Sequence, residues 1–167
     1  DLPEEPLYVG FITDLSERRS MERALRASEQ QYRLLIRNIP GVVFSCIDDE
    51  NWSMRFISEA VETLTGYPAE DFVARRINFS QLIHPDDHER ITRAVHAALA
   101  DGTHYIVEYR LIHRDGRELW LWESGGGVPS SASTAGRIDG ASNDNTESKQ
   151  RNAEFERTAA APRRAQQ

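Results

Sequence analysis

At 167 residues with a formal net charge of −7, the chain has room for one modest domain plus extra segments and can bury a real core. The acidic balance argues against a basic surface for nucleic acid or anionic lipid, so neither contact is expected. No run approaches the roughly 18 apolar residues of a membrane span, the opening DLPEEP lacks a secretory-signal pattern, and the lone Cys46 rules out an internal disulfide and fits a reducing cytosol.

Residues 7–12, LYVGFI, form a short apolar run after Pro3 and Pro6 and predict a strand. Asp14 and Glu17 follow at capping-box spacing, so a helix is expected to begin there. Met21, Leu25, Ser28, Tyr32, Leu35 and Ile39 then recur at alternating spacings of four and three, nearly three heptads weakened by Ser28. Two readings fit this seam: a parallel helix pair between two subunits, through Met21, Leu25, Tyr32 and Leu35, or an amphipathic helix lying on its own domain. Pro40 stops the helix, because it lacks an amide hydrogen and disfavours helical geometry in the residue before it.

Val42 to Ile47 and Ser53 to Ile57 predict a hairpin around the polar turn at Asp48 to Asn51. Ser58 then caps a short helix carrying Val61 and Leu64 and closed by Gly66, with further helical turns expected around 69–72 and 79–83. His84-Pro85-Asp86-Asp87-His88 opens the longest internal helix, with proline suited to a first turn and carboxylates favoured at the positive end of the helix dipole. Ile91, Ala94, Val95, Ala98 and Leu99 make its core-facing stripe, and Asp101-Gly102 ends it.

The strongest pattern lies between Tyr105 and Gly126. Tyr105, Val107, Tyr109 and Leu111 alternate with His104, Ile106, Glu108, Arg110 and Ile112, and beyond Asp115-Gly116 the residues Trp120 and Trp122 alternate with Leu119 and Leu121. This predicts a β-hairpin whose aromatic wall is covered by the helix at 85–100. Trp120 and Trp122 either pack under that helix or enclose a small ligand; packing is the commoner use of aromatics on a sheet. A polar loop, VPSSASTAG, precedes a feeble strand from Arg137 to about Asn143, and the tail TAAAPRRAQQ is expected to be disordered. Residues 10–19 and 140–149 echo each other, each a strand end followed by an Asp-x-Ser/Thr-Glu helix start, which suggests a tandem array of domains.

Three motifs have bland readings. The cluster HPDDH reads as a helix start rather than a metal or acid–base site, since no second His/Asp cluster completes a coordination shell. His113-Arg114-Asp115 has no accompanying Gly-rich loop or Asp-Phe-Gly, and Gly125-Gly126-Gly127 lacks the Lys-Ser/Thr of a phosphate-binding loop.

Five blocks, SEQQYRLLIRNIPGVVF, RFISEAVETLTGYPAEDF, LIHPDD, VEYRLIHRDGRELW and the exit Asp144 to Glu147, resemble PAS domains of the subtype common in bacterial sensory proteins. The resemblance covers roughly residues 28–149. It implies an α+β fold with a five-stranded antiparallel sheet in the order 2-1-5-4-3 and short helices over one face. These enclose a small pocket with candidate lining residues Ser45, Ile47, Phe56, Leu64, Ile83, Tyr109, Leu111, Trp120 and Trp122. It divides the chain into the last strand of a preceding PAS-like unit and a helix start (1–19), a signalling helix (20–38), the PAS domain (39–146) and an outgoing helix with its tail (147–167).

The function implied is a sensory and dimerisation module of a cytosolic, multi-PAS signal-transduction protein such as a two-component histidine kinase, with no catalysis of its own. It would be a homodimer through the N-terminal helix, joined to neighbouring PAS and effector domains, without direct membrane contact, and relaying through Asp14, Glu17, Asp144, Thr146 and Glu147. The alternative is a ligand-free relay domain whose pocket is filled by Trp120, Trp122, Tyr109 and Phe56. No cofactor is expected: Arg75 to Phe79 replace the Asn-Cys-Arg motif of flavin-binding relatives, and His88 and His96 lie off the helix stripe from which an axial haem ligand would point. No metal is expected, and neither a kinase histidine box nor a cyclase signature occurs. The sequence departs from the family in its polar last strand and the long loop before it, which implies a less rigid sheet edge.

Overall fold

The computed structural model describes residues 6–129 and 136–160, with side chains from residue 14 onward. Two compact units are present, residues 1–39 and 40–167.

The first unit contributes one helix, α1 (Pro6–Asn38). LYVGFI lies within it and is not the predicted strand. Among the described residues no strand pairs with this segment, and an unpaired segment satisfies its amides and carbonyls by winding on itself. Asp14 and Glu17 consequently sit inside the helix instead of capping its start. Met21, Leu25, Tyr32 and Leu35 are each more than half exposed, so the apolar seam has no cover within its own unit.

In the second unit, β1 (Val42–Ile47) and β2 (Met54–Ile57) form a hairpin. Asp49 Oδ1 holds its turn by accepting from the amides of Asn51 at 3.1 Å and Ser53 at 2.9 Å. Then come α2 (Ala60–Thr65), α3 (Ala69–Val73), a 3₁₀ turn (Phe79–Leu82), α4 (Pro85–Asp101), β3 (His104–Ile112), β4 (Glu118–Val128), β5 (Arg137–Asp144) and α5 (Thr146–Ala160). The sheet is antiparallel in the order β2-β1-β5-β4-β3, as the resemblance implied.

One face of this sheet, with Val42, Phe44, Cys46, Tyr105, Tyr109, Leu111, Leu119 and Leu121, buries against Phe72, Phe79, Ile91 and Val95 from the helices. Each such side chain contributes roughly 1.5–3 kcal/mol on removal from water. HPDDH opens α4 as predicted: His84 Nδ1 accepts from the Asp86 amide at 3.2 Å, and Pro85 occupies the first turn.

Register corrects the predicted aromatic wall. Tyr109 pairs with Leu121, and Arg110 with Trp120. Residues directly opposite in an antiparallel pair project to the same face, so Leu119, Leu121 and Glu123 join the tyrosines inside while Trp120 and Trp122 face outward with Arg110 and Glu108.

The polar β5 is an interior strand, flanked by β1 and β4, not an edge. Its composition follows from close contacts. A Cβ on Gly140 would lie 2.6 Å from Phe44 Cζ and 2.8 Å from the Ser124 carbonyl, Asp139 accepts from Ser45 Oγ at 2.7 Å, and Ser142 is fully buried. The loop at 130–135 and the tail from 161 lie outside the described residues.

Candidate functional site

Between sheet and helices is a cavity of about 20 Å³, room for one water-sized molecule. Phe44 and Cys46 of β1, Trp52 and Met54 of the first hairpin, Phe79, Val95 of α4, Tyr105, Ile138 and Glu123 line it. The single carboxyl in this lining, Glu123, accepts three hydroxyl hydrogens: Tyr105 at 2.9 Å on Oε1, and Tyr109 at 2.5 Å and Ser142 at 3.0 Å on Oε2. Burial raises the pKa of Glu123 above its usual 4.5, and the three hydroxyls oppose that shift. Burial and the neighbouring Glu123 push the Tyr105 and Tyr109 phenols and the Cys46 thiol upward, so these groups stay protonated at neutral pH.

Trp52 also borders an open outer groove with Asp48, Asp49, Glu50, His88, Thr92 and His96. Its ring stacks on His88 with centroids 6.1 Å apart, its backbone has φ of 47°, and His96 Nε2 lies 3.0 Å from Asp48 Oδ1. HPDDH diverges accordingly: His84 caps α4, His88 meets Trp52, and Asp87 is gripped by Arg110. No group of three or more His, Cys, Asp or Glu among the described residues is arranged to hold a metal ion.

The opposite face of β4 carries the start of α5. Trp120 donates its amide to Thr146 Oγ1 at 2.9 Å and accepts from the Asn145 amide at 2.7 Å, while Asp144 Oδ1 caps the turn by accepting from the Thr146 amide at 2.8 Å. Asn145 Nδ2 donates to Glu108 Oε1 at 3.0 Å, Lys149 pairs with the same carboxylate, and Lys149 Nζ lies 4.9 Å from the centre of the Trp120 ring. Glu147 lies farther out, 4.0 Å from Arg151.

Of the predicted pocket residues, Leu64, Ile83, Tyr109 and Leu111 are buried in the core, and Tyr109 reaches Glu123. None of the nine is among the side chains lining the cavity. Ser45 and Ile47 project to the other face of β1, Phe56 is 41% exposed, and Trp120 and Trp122 are half-buried outside. Glu123 and Trp52 were missed. The signal for Glu123 was its phase: it continues the Leu119, Leu121 series, so an acid occupies an apolar slot.

Residues 54–142, more than half of the chain, match the PAS fold family. The chain belongs to that family. The PAS domain is 30% identical over 121 residues to a methyl sulfide methyltransferase-associated sensor of Methanosarcina acetivorans, a match covering 70% of this chain and 12% of that protein. It is 29% identical over 153 residues to protein y4lL of Sinorhizobium fredii, covering 92% of this chain and 18% of the relative, so the chain spans less than a fifth of either. A crystal structure of a sensory box histidine kinase/response regulator from Burkholderia thailandensis superposes with a TM-score of 0.63 at 23% identity, over 81% of this chain and 99% of that one. The N-terminal domain of a diguanylate cyclase with PAS/PAC sensor from Marinobacter aquaeolei gives 0.54 at 19% identity, over 65% and 98%. No helix among the described residues is long and apolar enough to cross a membrane.

Proposed function

We propose that this PAS domain is a sensory and dimerisation module of a cytosolic signal-transduction protein, which passes a small-molecule or upstream conformational signal through its flanking helices to an effector. The observation that carries this reading is the double role of β4. Its inner face presents Glu123 to the cavity, and three residues earlier its outer face holds the first turn of α5 through both backbone groups of Trp120. A change in the cavity that shifts β4 therefore moves the anchor of the outgoing helix.

No catalysis is assigned to this segment. Dimerisation is assigned to α1, whose Met21, Leu25, Tyr32 and Leu35 leave an apolar stripe in water that a second copy would cover. Sedimentation of the chain beside a Leu25→Asp/Leu35→Asp variant tests the seam. A dimer that becomes monomeric supports it, and unchanged association removes α1 from the interface.

The cavity's small size favours a second reading, in which the domain relays without a ligand and its core is filled chiefly by Tyr109, Leu111 and Leu121. Native mass spectrometry of gently purified protein distinguishes the two by the presence or absence of added small-molecule mass.

A further inference from the structure

We propose that Arg110 is a two-position latch on the outgoing helix: held by Asp87 of α4 it leaves Glu108 to anchor α5, and released from Asp87 it takes Glu108 and frees α5. The inference deepens the relay reading and rests on it for its signalling consequence, while the latch itself is measured as an exchange of partners within the domain.

Two cations border the Trp120 indole, with Arg110 Cζ 5.8 Å and Lys149 Nζ 4.9 Å from its centre. Each is paired with a different carboxylate. Arg110 donates from Nε and Nη2 to Asp87 at 3.0 and 2.8 Å, while Lys149 pairs with Glu108, which also accepts from Asn145 Nδ2 at 3.0 Å. Glu108 and Arg110 lie two apart on β3, so both project to the outer face of the sheet, roughly 7 Å apart along the strand. An arginine side chain spans that separation, and its planar fork matches a carboxylate with two parallel hydrogen bonds where an ammonium offers a point charge. What keeps Arg110 off Glu108 is therefore Asp87, which is buried and also accepts from the Arg110 amide at 2.8 Å.

The second position leaves no buried charge alone. Arg90 Nη2 already lies 3.8 Å from Asp87 Oδ1 and takes over that carboxylate, Arg110 pairs with Glu108, and the ammonium of Lys149 turns to water. The first turn of α4 sets the choice between the two arrangements. Asp87 is followed by His88, whose ring stacks on Trp52 at the wall shared by the inner cavity and the outer groove. Trp52 holds a left-handed backbone angle, φ of 47°, which a bulky residue adopts under strain, so the contact is poised to give. A shift of Trp52 moves His88 and, one residue back, displaces Asp87 from Arg110. This route reaches α5 through side chains of the outer face, separately from the backbone bonds between Trp120 and the start of α5.

The test follows amide hydrogen exchange through α4 and the first two turns of α5 in the full chain, for Asp87→Asn, Arg110→Gln and the double variant. Asp87→Asn removes the charge that holds Arg110, so exchange at the start of α5 should accelerate by about three- to tenfold. Adding Arg110→Gln removes the competitor for Glu108 and should return α5 to within about twofold of the parent, while α4 stays destabilised. Lys149 is the chain's only lysine, so its side-chain resonance reads the exchange without overlap: it should shift in Asp87→Asn and return in the double variant. Rescue by a second substitution separates a latch from a structural contact, because loosening that merely spread from α4 would leave the double variant exchanging at least as fast as Asp87→Asn. That result overturns the proposal, and so does an α5 unmoved by Asp87→Asn. In either case the response of α5 to Thr146→Val still reports on its anchor to β4, so the sensory reading is judged separately.

Discussion

Trp120 and Thr146 are joined where the sheet ends: the Trp120 amide donates to Thr146 Oγ1 at 2.9 Å, and the next residue back, Asn145, returns a bond to the Trp120 carbonyl at 2.7 Å. Replacing Thr146 with Val keeps the shape and removes the acceptor, leaving the amide of a half-buried residue without its partner. The expected cost is about 1–2 kcal/mol, concentrated at this junction. Hydrogen exchange at the Trp120 amide and through the first turn of α5 should accelerate while the β1–β2 hairpin is unaffected. Uniform acceleration across the domain would show that the junction is not a local anchor.

Arg110 grips Asp87 through its backbone amide at 2.8 Å, Nε at 3.0 Å and Nη2 at 2.8 Å, tying the first turn of α4 to β3. The Arg110 hydrogen bonds hold the Asp87 carboxyl at about 2, below its usual 3.8. A depressed acid contributes stability that is fully present above the unfolded value and disappears as pH falls through the folded one, so the window lies between roughly pH 4 and pH 2. Asp87→Asn should cost about 2 kcal/mol at pH 7 and flatten the acid limb of the unfolding curve within that window. Denaturant titrations at pH 7, 4 and 2.5 measure both effects; an acid limb unchanged in the variant would contradict the assignment.

The hairpins, the α4 stripe and the strand order were legible because each rests on local periodicity, turn residues or blocks in family order. The aromatic wall was not, because alternation gives each strand two faces without saying which face of β3 matches which face of β4. That choice depends on the pairing that begins at the turn, where the His113 amide donates to the Arg117 carbonyl at 2.8 Å. The same limit hid Glu123, whose three hydroxyl partners come from β3 and β5. LYVGFI failed for the reverse reason: its composition suits a strand, but a strand needs a partner, and without one among the described residues the backbone bonds to itself as a helix. The weak look of β5 likewise reflects neighbours invisible in sequence, with Gly140 admitting Phe44 and Ser142 bonding Glu123.

Gly140 offers a direct measure of that crowding. A methyl group there would meet Phe44 Cζ at 2.6 Å and the Ser124 carbonyl at 2.8 Å, and the second of these is backbone that cannot swing aside. Gly140→Ala should therefore destabilise by about 1–3 kcal/mol despite the small gain in strand propensity. Adding Phe44→Leu relieves the ring contact and should recover part of the loss, so the double variant should fall short of the sum of the two single effects. Strict additivity in thermal unfolding would mean that the two residues do not compete for the same space.

Glu123→Gln separates the buried carboxyl from every other acid in the chain by its pH dependence. Because burial raises the folded-state value of Glu123 above 4.5, the unfolded chain loses this proton first as pH rises. Stability is then lost by up to about 1.4 kcal/mol per pH unit until the folded value is passed. Below about pH 4.5 both states are protonated and the group contributes nothing. The groups facing it stay out of this window: Tyr105 and Tyr109 of β3 and Cys46 of β1 are pushed upward, Ser142 of β5 does not titrate, and α4 presents Val95. Asp87 titrates lower. Glutamine cannot accept at its amide nitrogen, so the variant carries a constant penalty from the hydroxyls it leaves unmatched. The stability of Glu123→Gln relative to the parent should rise as pH climbs above about 4.5, whichever of the two is more stable at the start. Parallel curves across that range would mean that the carboxyl is already ionised in the empty domain, and that a counter-charge reaches it from within the chain.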